Sequence, residues 1–166
     1  MTIDEFLQAI DGKAPPAPAD RLAELEAALG GPLPDDYRQF LEMCNGGFVG
    51  GALWYEGPTP TGTSADAGVH HIGGFRQETF FSLAWAQNCY AGRIPDVLLW
   101  IMDDPFGNAI CLGLRGPHRG RIYFWDHERE PDPRCWNGQV ETAGNLTLIA
   151  NSFTEFVAGL KPTPNG

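Results

Sequence analysis

The segment Leu98–Glu130, LLWIMDDPFGNAICLGLRGPHRGRIYFWDHERE, constrains the fold most. It holds three apolar runs, Leu98–Met102, Ala109–Leu114 and Ile122–Trp125. The stretches between them, Asp103–Asn108 and Arg115–Gly120, are rich in Asp, Pro, Gly and Asn, which punctuate strands with turns. Gaps this short cannot carry a helical crossover, so the runs are expected to pair as an antiparallel meander at the centre of the core.

Helical signals flank this meander. Ile3, Phe6, Leu7 and Ile10 fall on one helical face behind Thr2 and Glu5, which have capping-box spacing. Asp11-Gly12 and the proline-rich run 13–19 stop that helix and favour an extended linker. Asp20 is expected to cap a helix over Arg21–Leu29, with Leu22, Leu25 and Leu29 on its buried stripe. Tyr37, Phe40, Leu41 and Cys44 then recur at i, i+3, i+4 and i+7. Pro34 suits the first turn, Asp35 and Asp36 complement the helix dipole, and Asn45-Gly46-Gly47 supplies the left-handed residues that close a C-terminus.

Leu53–Tyr55, Val69–Ile72, Phe75–Phe81 and the alternating Leu146 and Leu148 are expected strands. Gly57–Ser64 reads as an exposed, mobile loop, and Ser82 as the cap of a helix across Leu83–Tyr90. Ser152 and Glu155 form a second capping box before Phe153, Phe156, Val157 and Leu160. Helices, then strands, then a helix give an α+β fold: one domain with N-terminal helices, a central antiparallel sheet and a C-terminal helix. The expected boundaries are a short helix and proline-rich linker at 1–19, the domain at 20–160, and a frayed tail at 161–166.

The formal net charge of −10 argues against a sizeable nucleic-acid or anionic-membrane surface, because both need clustered Lys and Arg. It suits a basic protein partner. Residues 1–45 hold nine acids against three bases, so much of this charge is N-terminal. With no signal segment, membrane span or lipidation motif, a cytoplasmic location is expected. Cys44, Cys89, Cys111 and Cys135 are widely spaced without a CxxC pair, as expected of reduced thiols; Cys44 and Cys111 fall at core positions.

Catalytic signals are weak. His70 and His71, if extended, point to opposite faces and make a poor chelating pair. His118 lies in a Gly-Pro turn and is expected at the surface, while His127 suits a hydrogen bond at a strand end. Phe106-Gly107-Asn108 lacks the repeated glycines and following helix of a phosphate loop, so it reads as a hairpin turn. Trp125 reads as a packing residue whose ring N–H finds one partner, with Asp126 satisfying the strand end. No catalytic, cofactor or metal-ligating residue is assigned, and no cofactor is expected.

Read together, Leu25-Glu26, Leu29-Gly30, Leu33-Pro34, Asp36-Tyr37-Arg38, Phe40-Leu41 and Asn45-Gly46-Gly47 resemble the opening of the SUKH superfamily. That group includes fungal cell-wall assembly regulators and many bacterial toxin-immunity proteins. Arg93-Ile94-Pro95, Phe106-Gly107-Asn108, Ile110–Leu112, Ile122–Glu128 and Ser152–Phe156 continue the likeness, which spans about residues 20–160. The loop around Pro58–Gly68 and the segment before the proline linker depart from it. The motif positions carried over as structural are Leu33, Pro34, Tyr37, Phe40, Leu41, Asn45, Gly46, Gly47, Gly107, Asn108, Trp125, Phe153 and Phe156.

The resemblance implies a compact α+β domain without catalytic residues, used to bind another protein. The expected role is an immunity protein that neutralises a cognate bacterial toxin, such as a basic nuclease domain. Acidic side chains are the candidate partner-binding residues: Asp35, Asp36 and Glu42; Asp103 and Asp104; and Asp126, Glu128 and Glu130. Negative patches of this kind speed association with a basic partner. Two other readings stay open, a scaffold or regulator of the same fold and a ligand-binding or hydrolytic protein using His70-His71.

Overall fold

Eight strands pair into one antiparallel sheet in the computed structural model, which describes residues 1–57, 59–62, 67–75 and 80–162. The expected meander is its centre. Strands β4 (Leu98–Asp103), β5 (Ala109–Gly113) and β6 (Ile122–Trp125) pair in turn, with Leu99 opposite Leu112 and Cys111 opposite Tyr123. Every residue of β4 and β5 is buried, because packing covers both faces here. Strand β7 (Leu146–Ala150) joins β6, while β2 (Gly47–Tyr55) and β3 (Ala67–Ile72) extend the sheet beyond β4. The two-residue β1 (Ile10–Asp11) pairs with β2 at Phe48 and Val49. The last strand, β8 (Leu160–Pro162), pairs with β2 at Leu53–Tyr55, so β1 and β8 share one edge of β2.

Three helices close the core through aromatic contacts: α1 (Ile3–Ala9), α3 (Asp35–Met43) and α5 (Phe153–Gly159). Phe6 stacks on Phe40 at 5.7 Å, Phe40 meets Phe153 at 4.9 Å, and Tyr37 meets Phe153 edge-on at 5.2 Å. All four rings are fully buried, the geometry that adds most to aromatic burial. Phe156 stacks on Tyr55 of β2 at 5.5 Å, fixing α5 to the sheet. Helix α2 (Ala19–Leu29) buries Leu22 and Leu25, and α4 (Leu83–Cys89) lies against β4 through Trp85 and Trp100.

Thr2 and Glu5 form the complete capping box, and Ser82 accepts the Trp85 N–H at the start of α4. At α5 Ser152 accepts the Glu155 N–H, but the Glu155 carboxylate reaches the Asn151 N–H at 3.1 Å, one residue earlier than the box requires. Several expectations need correction. Helix α2 begins one residue before Asp20, because extended Pro18 already presents its carbonyl to the Leu22 N–H; Asp20 lies within the first turn. Pro34 is likewise the extended residue before α3, not part of its first turn.

Asn45-Gly46-Gly47 is more than a helix stop. Cys44 caps α3 in an extended conformation, and only Gly46 is left-handed, with φ 79°. A Cβ on Gly47 would stand 2.5 Å from Ile10 Cγ2 and 2.7 Å from the Asp11 carbonyl oxygen, so the motif lets β1 lie directly against β2. Strand β2 starts at Gly47, well before the expected Leu53. Phe80 and Phe81 lie in a turn and not in a strand, and residues 76–79 of that expectation lie outside the described residues. Lys161 and Pro162 belong to β8 and are not frayed; 163–166 lie outside the described residues. In the expected exposed loop, Thr59 is buried, while 58, 63 and 64 are likewise outside.

Candidate partner-binding site

The β4–β5 turn is built on one carboxylate. Asp104 accepts the N–H groups of Phe106 and Asn108 and the Asn108 Nδ2–H, each at 2.8 Å, while Gly107 turns the chain with φ 88°. Asn108 Oδ1 in turn accepts the His127 N–H at 3.1 Å and lies 2.9 Å from His127 Nδ1. The hairpin reading of Phe106-Gly107-Asn108 therefore holds, as does that of His127 at the strand end. The turn leaves Phe106 63 % exposed, with its ring 6.1 Å from that of Trp54.

Tyr55 faces α5, so strand alternation sends Trp54 to the opposite face of the sheet. There a groove of about 310 Å³ is lined by residues that include Phe48, Leu53, Trp54, Val69, His70 and Pro105, with no Lys or Arg. Gly68 keeps it open: a Cβ there would meet Pro105 Cδ at 3.3 Å and Trp54 at 3.5 Å. Phe48, 42 % exposed, completes a patch of accessible aromatic surface with Trp54 and Phe106. Exposed aromatics in a shallow cleft are the residue class that anchors protein interfaces.

At one end of the groove the structure overturns an expectation. The rings of His70 and His71 do not diverge; their centroids lie 3.9 Å apart. Asp103 causes this. Its Oδ1 accepts the His71 N–H at 2.8 Å, and its two oxygens lie 3.1 and 3.2 Å from His71 Nδ1. His70 Nδ1 comes within 4.0 Å of the same carboxylate. A buried anion draws both imidazoles to one edge, overriding strand alternation. Burial pushes the Asp103 carboxyl up, against the opposing pull of the His71 N–H and the two imidazoles. Phe81 lies flat on His71 at 3.7 Å.

The acidic candidates do not form one patch. Asp103 and Asp104 are buried and serve the contacts above. Asp36 accepts the Thr154 N–H at 3.0 Å, joining α3 to α5, and Glu42 is paired with Arg38. Asp126 caps a short 3-10 turn by accepting the Glu128 N–H at 2.9 Å. Glu130 is held by Arg93, whose hydrogen bonds keep its carboxyl below the ordinary range. Asp35 and Glu128 are exposed, with no side-chain hydrogen bond or ion pair among the described residues. The signals that sequence reading passed over were the aromatics: Phe48 directly after a Gly-Gly pair and Phe106 inside a tight turn, both positions where burial is difficult.

His118 also departs from expectation. Its side chain is only 13 % exposed, with Nδ1 2.8 Å from the Tyr123 hydroxyl and Nε2 3.1 Å from Glu141. Trp125 is fully buried as expected, but its indole N–H has no acceptor among the described residues. Cys44 and Cys111 are core thiols, whereas Cys89 and Cys135 are exposed. A second cavity, of about 360 Å³, lies between the end of α2 and α4 and gathers no set of reactive groups. Among the described residues no helix is long and apolar enough to cross a membrane.

The sequence model of the SMI1 / KNR4 family (SUKH-1) matches residues 16–159. The chain is also 31 % identical, over 163 residues, to the SPbeta prophage-derived uncharacterized protein YokK of Bacillus subtilis (strain 168); the match covers 87 % of this chain and 75 % of that protein.

Proposed function

Because the chain belongs to the SMI1 / KNR4 family (SUKH-1), we propose that it is a protein-binding module that captures and neutralises a cognate bacterial toxin domain in the cytoplasm, without chemistry of its own. The observation that carries this reading is the groove between β2 and β3. Its lining offers Phe48 and Trp54 as anchors, exposed Phe106 lies beside Trp54, no cationic side chain lines it, and the whole chain carries a formal charge of −10. A basic domain such as a nuclease fits that combination: aromatic anchors supply affinity, and the long-range negative field raises the encounter rate. Asp35 and Glu128, the unpaired members of the acidic set, contribute to the field without being contact residues.

The test is co-expression with a toxin encoded beside this chain, followed by co-purification and a growth assay. The expected result is a complex and restored growth, with Phe106→Ala and Trp54→Ala weakening the complex and an association rate that falls as salt rises. A toxin that shows neither complex nor protection overturns the reading. A complex unaffected by both aromatic substitutions removes the groove as the interface, and a salt-insensitive rate removes the steering.

A further inference from the structure

We propose that His70, His71 and Asp103 form a binding site for a divalent transition-metal ion of the zinc class, with two imidazoles and one carboxylate as ligands. One ligand atom from each residue lies within 4.8 Å of the others. Donors around a tetrahedral ion at 2.0–2.2 Å stand about 3.4 Å apart. His71 Nδ1 is 3.1 and 3.2 Å from the Asp103 oxygens and so already has that spacing, while His70 Nδ1, 4.0 Å from Oδ1, needs only a small rotation. His70 can make it, since its side chain is 40 % exposed.

The surroundings resemble a supported ligand set. Asp103, with a side chain only 8 % exposed, is oriented by the His71 N–H at 2.8 Å, an outer hydrogen bond that fixes a ligating carboxylate. Phe81 fixes the plane of the His71 ring by stacking on it at 3.7 Å with a 7° tilt. Phe81 itself is held at φ 71°, the only non-glycine residue with positive φ among the described residues. Bulky residues resist that conformation, and they persist there when the surrounding structure demands it. Two imidazoles with ring centroids 3.9 Å apart share one carboxylate, and a divalent ion bound among them takes the place of any proton that joins His71 Nδ1 to Asp103. Imidazole with carboxylate suits zinc, cobalt or nickel and not calcium or magnesium, which prefer all-oxygen shells. The outer, exposed side leaves room for water in the remaining position. This inference stands whether or not the groove holds a toxin.

The test uses the full, tag-free chain with Cys89→Ser and Cys135→Ser, which removes the exposed thiolates as competing ligands. After dialysis against a chelator it is titrated with zinc by calorimetry and with cobalt by visible absorption. The expected result is one saturable site per chain, a zinc-induced rise in Tm, and a loss of affinity of about tenfold or more in His70→Ala and in His71→Ala. His70→Ala is the decisive variant, because that exposed ring contributes little to packing and its fold is checked by circular dichroism. Absence of saturable uptake of either metal overturns the site, as does uptake that both histidine variants leave unchanged.

Discussion

Arg93 grips Glu130 through two parallel N–H···O bonds of 2.8 Å each, and the same guanidinium lies over the rings of Tyr90 and Trp125 at 5.5 and 5.2 Å. One side chain thus ties the segment after α4 to the segment after β6, by a planar ion pair on its edge and cation–π contacts on its face.

This pair predicts a pH dependence. Arg93 holds the Glu130 carboxyl below its ordinary value of 4.5. The contribution is fully present above that value and is lost as pH falls through the lower folded one. Arg93 is 42 % exposed, so screening limits the effect: Glu130→Gln costs about 1 kcal/mol at neutral pH. Urea unfolding of both proteins at neutral pH and at about pH 3 measures it, and the gap between them is expected to narrow at the lower pH. A gap that stays constant refutes the ion-pair origin.

Asp104 is the acceptor on which the β4–β5 turn rests, and it is only 4 % exposed. Asp104→Ala strands three donors at once and is expected to destabilise the fold by about 3 kcal/mol. Asn108→Ala, which removes the link to His127 but not the Asp104 bonds to backbone, costs less. Equal midpoint losses in denaturant contradict this ranking.

Gly47→Ala tests the crossing of β1 and β2. Its Cβ would meet the Asp11 carbonyl oxygen, which is backbone and cannot swing aside. The expected loss is about 2 kcal/mol or more, and it persists when Gly47→Ala is made in an Ile10→Ala background, which removes the Cγ2 methyl, because the carbonyl remains. Restoration in the double variant would place the clash on the side chain alone.

The thiols divide by burial. Burial pushes the Cys44 thiol up to about 11 and the Cys111 thiol further, so neither presents thiolate at neutral pH. In the native state a thiol reagent is expected to label Cys89 and Cys135 promptly, reaching Cys44 and Cys111 only after denaturation. Prompt labelling at all four positions contradicts the packing of α3 and β5.

The meander was legible because each of its runs is apolar throughout and each gap holds strong turn residues. The ends of α1, α4 and α5 were legible because Thr2, Ser82 and Ser152 cap them through local bonds. Strand β2 was only half visible, since Gly47, Gly50 and Gly51 interrupt the alternation that marks a strand. Strands β1 and β8 escaped notice for another reason: two or three residues, one of them Pro162, carry no periodic signal, and only the distant β2 gives them a partner. The His70–His71 arrangement depends on Asp103, some thirty residues away, which no local rule could supply. The groove was hidden in the same way. Trp54, Phe106 and Phe48 come from separate segments that only the folded sheet assembles.

The shared edge of β2 also orders events during synthesis. Seven strands pair in chain order, β1 with β2 through β6 with β7, so each finds its partner in the next strand to emerge from the ribosome. Leu53–Tyr55, made early, must wait for Leu160–Pro162, and Tyr55 must wait for Phe156. Until then that edge offers unpaired backbone to any other strand in the cell. The C-terminal α5–β8 unit therefore acts as a late closure. A nascent chain stalled before residue 153 is the form of this protein most exposed to aggregation and chaperone capture.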